Sequence, residues 1–111
     1  MIQIASRRIG DDAAEIAVEG DLDAVASGEL RRVLEETRAA RVELDLSCVA
    51  FLDCAGARSL LRADARVRER GGRLVVMRPS APVVRLLRLL SFDRYLSIEG
   101  VVGAGRTPPG D

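Results

Sequence analysis

The apolar residues of this chain alternate between two spacings, and the order of the alternation limits the folds open to it. Ile2 and Ile4, then Ala14, Ile16 and Val18, recur at every second position on either side of Gly10-Asp11-Asp12, the pattern of two half-buried strands joined by a turn. Past Gly20-Asp21-Leu22-Asp23 the interval lengthens. Ala26, Leu30, Val33, Leu34 and Thr37 share one side of a helix predicted over 24–39, with Asp23 as its N-cap. Val42 to Leu46 then reads as a short strand, and Val49 to Leu52 as an apolar approach to Asp53. From Asp53 a second helix runs to about Arg70, stopped by Gly71-Gly72, with Ala57, Leu60, Leu61 and Val67 inward.

Arg73 to Met77 is almost continuously apolar, as suits a central strand covered by helices. Ser80 is placed as the cap of a third helix, with Pro82 in its first turn and Val83, Leu86, Leu87 and Leu90 buried. A last short strand is expected near Tyr95 to Ile98. The four glycines and two prolines from Gly100 to Asp111 leave a flexible tail, 100–111, after a single domain, 1–99. The class is α/β: a mixed sheet of four to five strands with three or four helices packed on it.

Charge and inventory narrow the function. Seventeen basic residues, all arginine, balance 17 acidic ones, so the broad positive field that binds phosphate backbones is missing and nucleic acid is not expected as a partner. No apolar run approaches the roughly 18 residues that span a bilayer, and the first segment has no leader pattern. Direct membrane insertion is not expected, and the location read from this is the cytoplasm. There is no histidine, and the two cysteines, Cys48 and Cys54, are too few for a disulfide framework or a zinc set. No metal, cofactor or catalytic residue is expected, and the chain reads as a binding module rather than an enzyme.

The informative stretch is Asp45 to Leu61, where a strand ends, a tight loop follows, and a helix starts at small residues, exposing backbone N–H groups. The loops Gly20 to Asp23, Ser47 to Ala57 and Arg78 to Ala81 are expected at one end of the sheet, where open α/β folds have a ligand crevice. Plainer roles stand beside the functional ones. Asp53 caps its helix, makes a functional contact, or does both. Gly20 to Asp23 reads first as an ordinary turn, and Arg62, Arg66 and Arg70 as a solvated face before an anion site. Cys54 reads first as a small buried cysteine and second as a redox-sensitive thiol.

Taken together, three motifs resemble the STAS domain of bacterial anti-sigma factor antagonists, over about Ile4 to Glu99. They are Gly20-Asp21-Leu22-Asp23; Asp45 to Gly56, holding the aspartate-leucine-serine strand end and the Phe51-x-Asp53-small-small-Gly56 loop; and Gly71 to Val76 followed by Ser80 to Leu87 and Phe92-Asp93-Arg94. The resemblance implies partner switching: the domain docks on an anti-sigma factor of GHKL-type kinase fold, which frees the sigma factor. The kinase then phosphorylates a serine or threonine just before the loop glycine, and the added dianion breaks the complex.

Here that position is Ala55, which has no hydroxyl, and Ser47 and Ser59 do not occupy it. The implied partner surface is Asp21, Asp23, Ser47, Asp53, Cys54, Ala55, Gly56 and Arg58, with Asp53 fixing the loop, Gly56 permitting close approach and Arg58 pairing with an acid. A small-ligand or nucleotide-binding STAS module, and a STAS subunit of a lipid-transport complex, are the alternatives.

Overall fold

The computed structural model describes residues 2–100, so residues 101–111 of the expected tail lie outside the described residues. The hairpin is present: β1 (Ile2–Gly10) and β2 (Ala13–Leu22) pair antiparallel across the Asp11-Asp12 turn. Then follow α1 (Ala24–Glu36), β3 (Arg41–Leu52), α2 (Cys54–Glu69), β4 (Arg73–Met77), α3 (Ala81–Leu89), one turn of 3-10 helix at Phe92–Arg94, and β5 (Ser97–Glu99). The sheet order is β1-β2-β3-β4-β5, with every pair after the hairpin parallel. Five strands and three helices thus form the mixed α/β sheet that the periodicity called for.

The order of the strands decides where the helices go. Each parallel connection steps to the next strand in the same direction, and such crossovers are right-handed, so all three helices fall on one face. Accordingly α2 packs against both α1 and α3. Beneath them lies one core, built from Ile16, Val18, Leu44, Leu46, Leu74 and Val76 of the sheet and Leu30, Leu60, Val67 and Leu87 of the helices. Among the described residues the other face has no helix. It carries a lattice of ion pairs, Arg7 with Glu15, Arg78 with Glu15 and Asp45, and Arg41 with Glu43 and Glu99.

Three boundaries differ from the sequence expectation. Helix α1 stops at Glu36 rather than near residue 39: Thr37 is extended, its hydroxyl donates to the Val33 carbonyl, and the Arg70 guanidinium donates to the carbonyls of Leu34 and Ala39. The expected last strand near Tyr95 to Ile98 is shifted to Ser97–Glu99, because the 3-10 turn reaches Arg94 and Tyr95 bonds back to Phe92.

The largest difference is in β3, which continues to Leu52 instead of ending at Leu46. Strand β2 stays beside it through two register shifts, and past Leu46 only every third residue is buried, namely Val49 and Leu52. Bulges keep the ladder paired while turning the strand, at the expense of strict alternation.

Candidate functional site

Strands β2 and β3 reach the same end of the sheet in register, Leu22 beside Leu52. Each hands over at once to a helix through an aspartate. Asp23 caps α1, its carboxylate accepting from the Ala26 N–H at 2.9 Å, and Asp53 caps α2, accepting from the Gly56 N–H at 2.7 Å. Each cap satisfies one of the orphan donors of its helix. Asp53 therefore performs the capping role and, half-buried, fixes the loop.

The two junctions are locked together by Gly56. A Cβ on this residue would lie 2.0 Å from the Leu22 carbonyl oxygen and 2.9 Å from the Leu52 side chain. No residue with a side chain fits there without moving the start of α2 away from the end of β2. Gly56 is buried, and the close approach that the structure shows it permitting is that of the Leu22 backbone. Its observed role is thus to hold the two junctions together.

The remaining expected residues separate into two groups. Asp21, Cys54 and Arg58 are exposed and Ala55 is half-buried, all around the two capped junctions. Cys54 is exposed in the first turn of α2, contrary to the expectation of a buried thiol. Ser47 is not part of this cluster. Because β3 runs on, Ser47 sits in mid-strand on the helix-free side, beside Asp45, Ala17 and Gln3, six residues back from Asp53. Ser59 is buried, with its hydroxyl donating to the Gly56 carbonyl at 2.6 Å.

Two exposed apolar side chains lie beside these residues and were not named as contacts from sequence, although Phe51 was quoted in the loop motif. Phe51 is 52% exposed and lies opposite Asp21 in the β2–β3 ladder, and Val25 is 83% exposed in the first turn of α1. The signal for Val25 was available: it falls off the Ala26, Leu30, Leu34 stripe, so a helix that buries that stripe must expose it.

The third expected loop is set back. Strand β4 pairs with β3 only as far as Met77 opposite Asp45. Ser80 holds the N-cap position of α3 without a side-chain cap bond; its hydroxyl instead donates to the Val49 carbonyl at 2.7 Å, and its N–H to the Leu46 carbonyl. The β2–β3 ribbon consequently continues past the end of β4 and past the start of α3, so this end of the sheet is a projection where a crevice was expected.

Behind the ribbon, Arg78 anchors the loop from a left-handed backbone conformation, φ 47°, with its guanidinium 2.6 Å from Asp45. Burial alone would raise the Asp45 carboxyl, but the Ser47 N–H and the Arg78 guanidinium outweigh it and hold the carboxyl below its ordinary value. The same bond to Asp45 raises the Arg78 guanidinium.

A family model described as "Mlab, STAS domain" matches residues 5–102. The chain belongs to the STAS domain family. Among solved structures, this STAS domain is similar to an anti-sigma factor antagonist from Mycobacterium paratuberculosis, with TM-score 0.78 and 19% identity over 92% of this chain and 88% of that one. It is also similar to the anti-sigma factor antagonist SpoIIAA in its unphosphorylated form, with TM-score 0.71 and 15% identity over 86% and 87% of the two chains. The phosphorylated Bacillus SpoIIAA superposes with TM-score 0.67 and 14% identity over 86% and 90%. These likenesses establish a shared fold. Among the described residues, no helix is long and apolar enough to cross a membrane, and no group of side chains is arranged to hold a metal ion.

Proposed function

We propose that this STAS domain binds an anti-sigma factor of GHKL-type kinase fold through the projecting β2–α1 and β3–α2 junctions, and so regulates sigma-dependent transcription. The observation that carries the reading is the in-register pair of aspartate-capped junctions, rimmed by exposed Phe51, Val25, Cys54 and Arg58. Exposed apolar side chains around fixed polar backbone make a surface suited to a protein partner. Support also comes from the antagonists named among the structures of the same fold.

The contact residues proposed are Asp21, Asp23, Asp53, Cys54, Ala55 and Arg58, together with Val25 and Phe51. Asp23 and Asp53 act chiefly by fixing the two turns. Arg58, exposed one turn into α2, offers a guanidinium to a partner carboxylate.

Ala55 gives the interface its distinctive property. It occupies the position just before Gly56 where the family resemblance implies a phosphorylated hydroxyl, and neither Ser47 on the helix-free side nor buried Ser59 replaces it. Binding is therefore not terminated by phosphoryl transfer at this loop, and the protein acts as an antagonist governed by its own abundance.

The test is affinity capture from the native cell extract with the full chain as bait, with and without ATP, followed by identification of partners and mass analysis of the bait. Recovery of an ATP-binding anti-sigma factor with an unmodified bait in both conditions is the expected result. Co-purification with a membrane transport ATPase overturns the proposal in favour of a lipid-transport subunit, and a ligand-induced stability gain without any protein partner favours a small-molecule module.

A further inference from the structure

Between α1 and α2 runs a groove of about 260 Å³, which starts beside the first turn of α1 at Ala24 and runs along the two helices to Leu34 and Arg66. Its floor is apolar, from Leu30, Leu34 and Ala63. Its walls are cationic: Arg31 stands on α1, and Arg62 and Arg66 stand one turn apart on α2. Arg66 is paired with Glu35 at 3.3 Å, whereas neither Arg31 nor Arg62 forms an ion pair among the described residues. In a chain whose charges balance overall, this is a local excess of positive charge.

Gly28 lines the same groove, in the middle of α1. Glycine weakens a helix interior relative to alanine, so its presence there calls for a packing reason. The fold itself supplies none, since a Cβ on Gly28 would meet nothing within 4 Å. Gly56, by contrast, is required by the Leu22 carbonyl. Among the described residues nothing fills the space beside Gly28, so the wall of the groove is open there to an incoming backbone.

The chemistry of the walls selects among occupants. Both hydroxyls in the groove are already committed as donors, Ser27 to the Asp23 carbonyl at 2.7 Å and Ser59 to the Gly56 carbonyl at 2.6 Å. The donors left for an anion are guanidiniums spread along the rim, without the converging N–H groups that encircle a phosphate. Residues four apart on a helix have Cβ atoms about 5–6 Å apart, so the Arg62 and Arg66 spacing matches carboxylates one turn apart on a second helix. A glycine on the facing wall lets that helix approach closely, and the apolar floor receives its small or aliphatic residues.

From these features we propose that the α1–α2 groove is a docking site for an acidic amphipathic helix of a partner protein. Carboxylates one turn apart on that helix pair with Arg62 and with Arg66, the latter shared with Glu35, another meets Arg31, and the helix backbone passes over Gly28. This surface adjoins the junction surface at Ala24 and Ser59 but uses other side chains, and it stands whether or not the junctions bind an anti-sigma factor.

The probe is a synthetic stapled helical peptide presenting glutamates one turn apart beside a leucine, titrated into the full chain by fluorescence anisotropy and by amide chemical-shift mapping. Binding that weakens with added salt, shifts centred on α1 and α2, and at least roughly tenfold loss in Arg62→Gln and in Arg66→Gln are expected. Gly28→Gln should keep or raise the Tm while weakening the peptide by a similar factor, since it fills the groove and strengthens the helix. The proposal is overturned if the peptide does not bind, if its glutamine counterpart binds equally well, or if Gly28→Gln has no effect on affinity. It is also overturned if inorganic pyrophosphate displaces the peptide and its own binding shows the same arginine dependence, which would make the groove a phosphate site.

Discussion

Gly56 of α2 meets Leu22 of β2 backbone to backbone, so closely that a Cβ on Gly56 would stand 2.0 Å from the Leu22 carbonyl oxygen. This single approach sets the position of one helix start relative to the other, because Leu22 leads directly into the Asp23 cap and Gly56 donates to the Asp53 cap.

The two glycines of the helices should therefore respond with opposite signs to the same substitution. Gly56→Ala forces backbone to move and is expected to lower stability by roughly 1–3 kcal/mol or more, as overpacking does. Gly28→Ala meets no neighbour and is expected to raise it by about 0.5–1 kcal/mol. Urea unfolding midpoints at constant m-value decide the matter; equal effects at the two positions would refute the account.

Asp23→Ala and Asp53→Ala each remove a side-chain cap and should each cost about 1 kcal/mol, with the asparagine variants losing less. Thermal unfolding of the two pairs of variants provides the comparison. An alanine effect below a few tenths of a kcal/mol would mean that water replaces the cap without loss.

Ala55→Asp adds a negative charge in the first turn of α2, where the helix dipole favours it by about 0.3–1 kcal/mol. The fold should hold or gain, while binding of the anti-sigma factor falls by more than roughly tenfold, since a charge desolvated at an interface costs several kcal/mol. Isothermal titration against the captured partner reads the binding and Tm reads the fold. Unchanged affinity would remove this loop from the interface.

The Asp45 carboxyl is held below its ordinary value of 3.8, and the sign of the linkage follows. A depressed folded-state pKa contributes stability that is present above the unfolded value and is lost as pH falls through the folded one. Wild type should thus lose more stability than Asp45→Asn on acidification below about pH 4, while the variant is the less stable at neutral pH. Because the partner Arg78 is partly exposed, screening by solvent keeps the effect small. Identical pH profiles for the two proteins would show that neither the Ser47 N–H nor the Arg78 guanidinium favours the charged carboxylate in the fold.

The order of strands and helices was legible in the sequence because each element carries its own period, and the hairpin turn, both aspartate caps and the whole of β4 fell where the pattern put them. The far half of β3 was not legible. Its buried residues, Leu46, Val49 and Leu52, recur every third position, an interval produced by bulges opposite β2 that no local rule announces. With that stretch taken for a loop, Ser47 was assigned to the site although the strand holds it well away.

The arginines hid their roles for a related reason. Arg62, Arg66 and Arg70 share one row on α2, yet Arg70 ties down the end of α1, Arg66 pairs with Glu35, and Arg62 is left facing the groove. Their partners lie about thirty residues away in sequence, beyond the reach of helical spacing.

The continuation of β2 and β3 beyond β4 makes this end of the molecule a plug and not a socket. In the binding mode proposed above, the receiving molecule must offer a hollow that admits Phe51 and Val25 and tolerates the aspartates beside them, so discrimination between rival partners falls in large part to that molecule. Changing what this protein binds should then be easier by reshaping the recess on the other side than by editing the plug, whose turns are fixed by the same glycine and caps that hold the fold together.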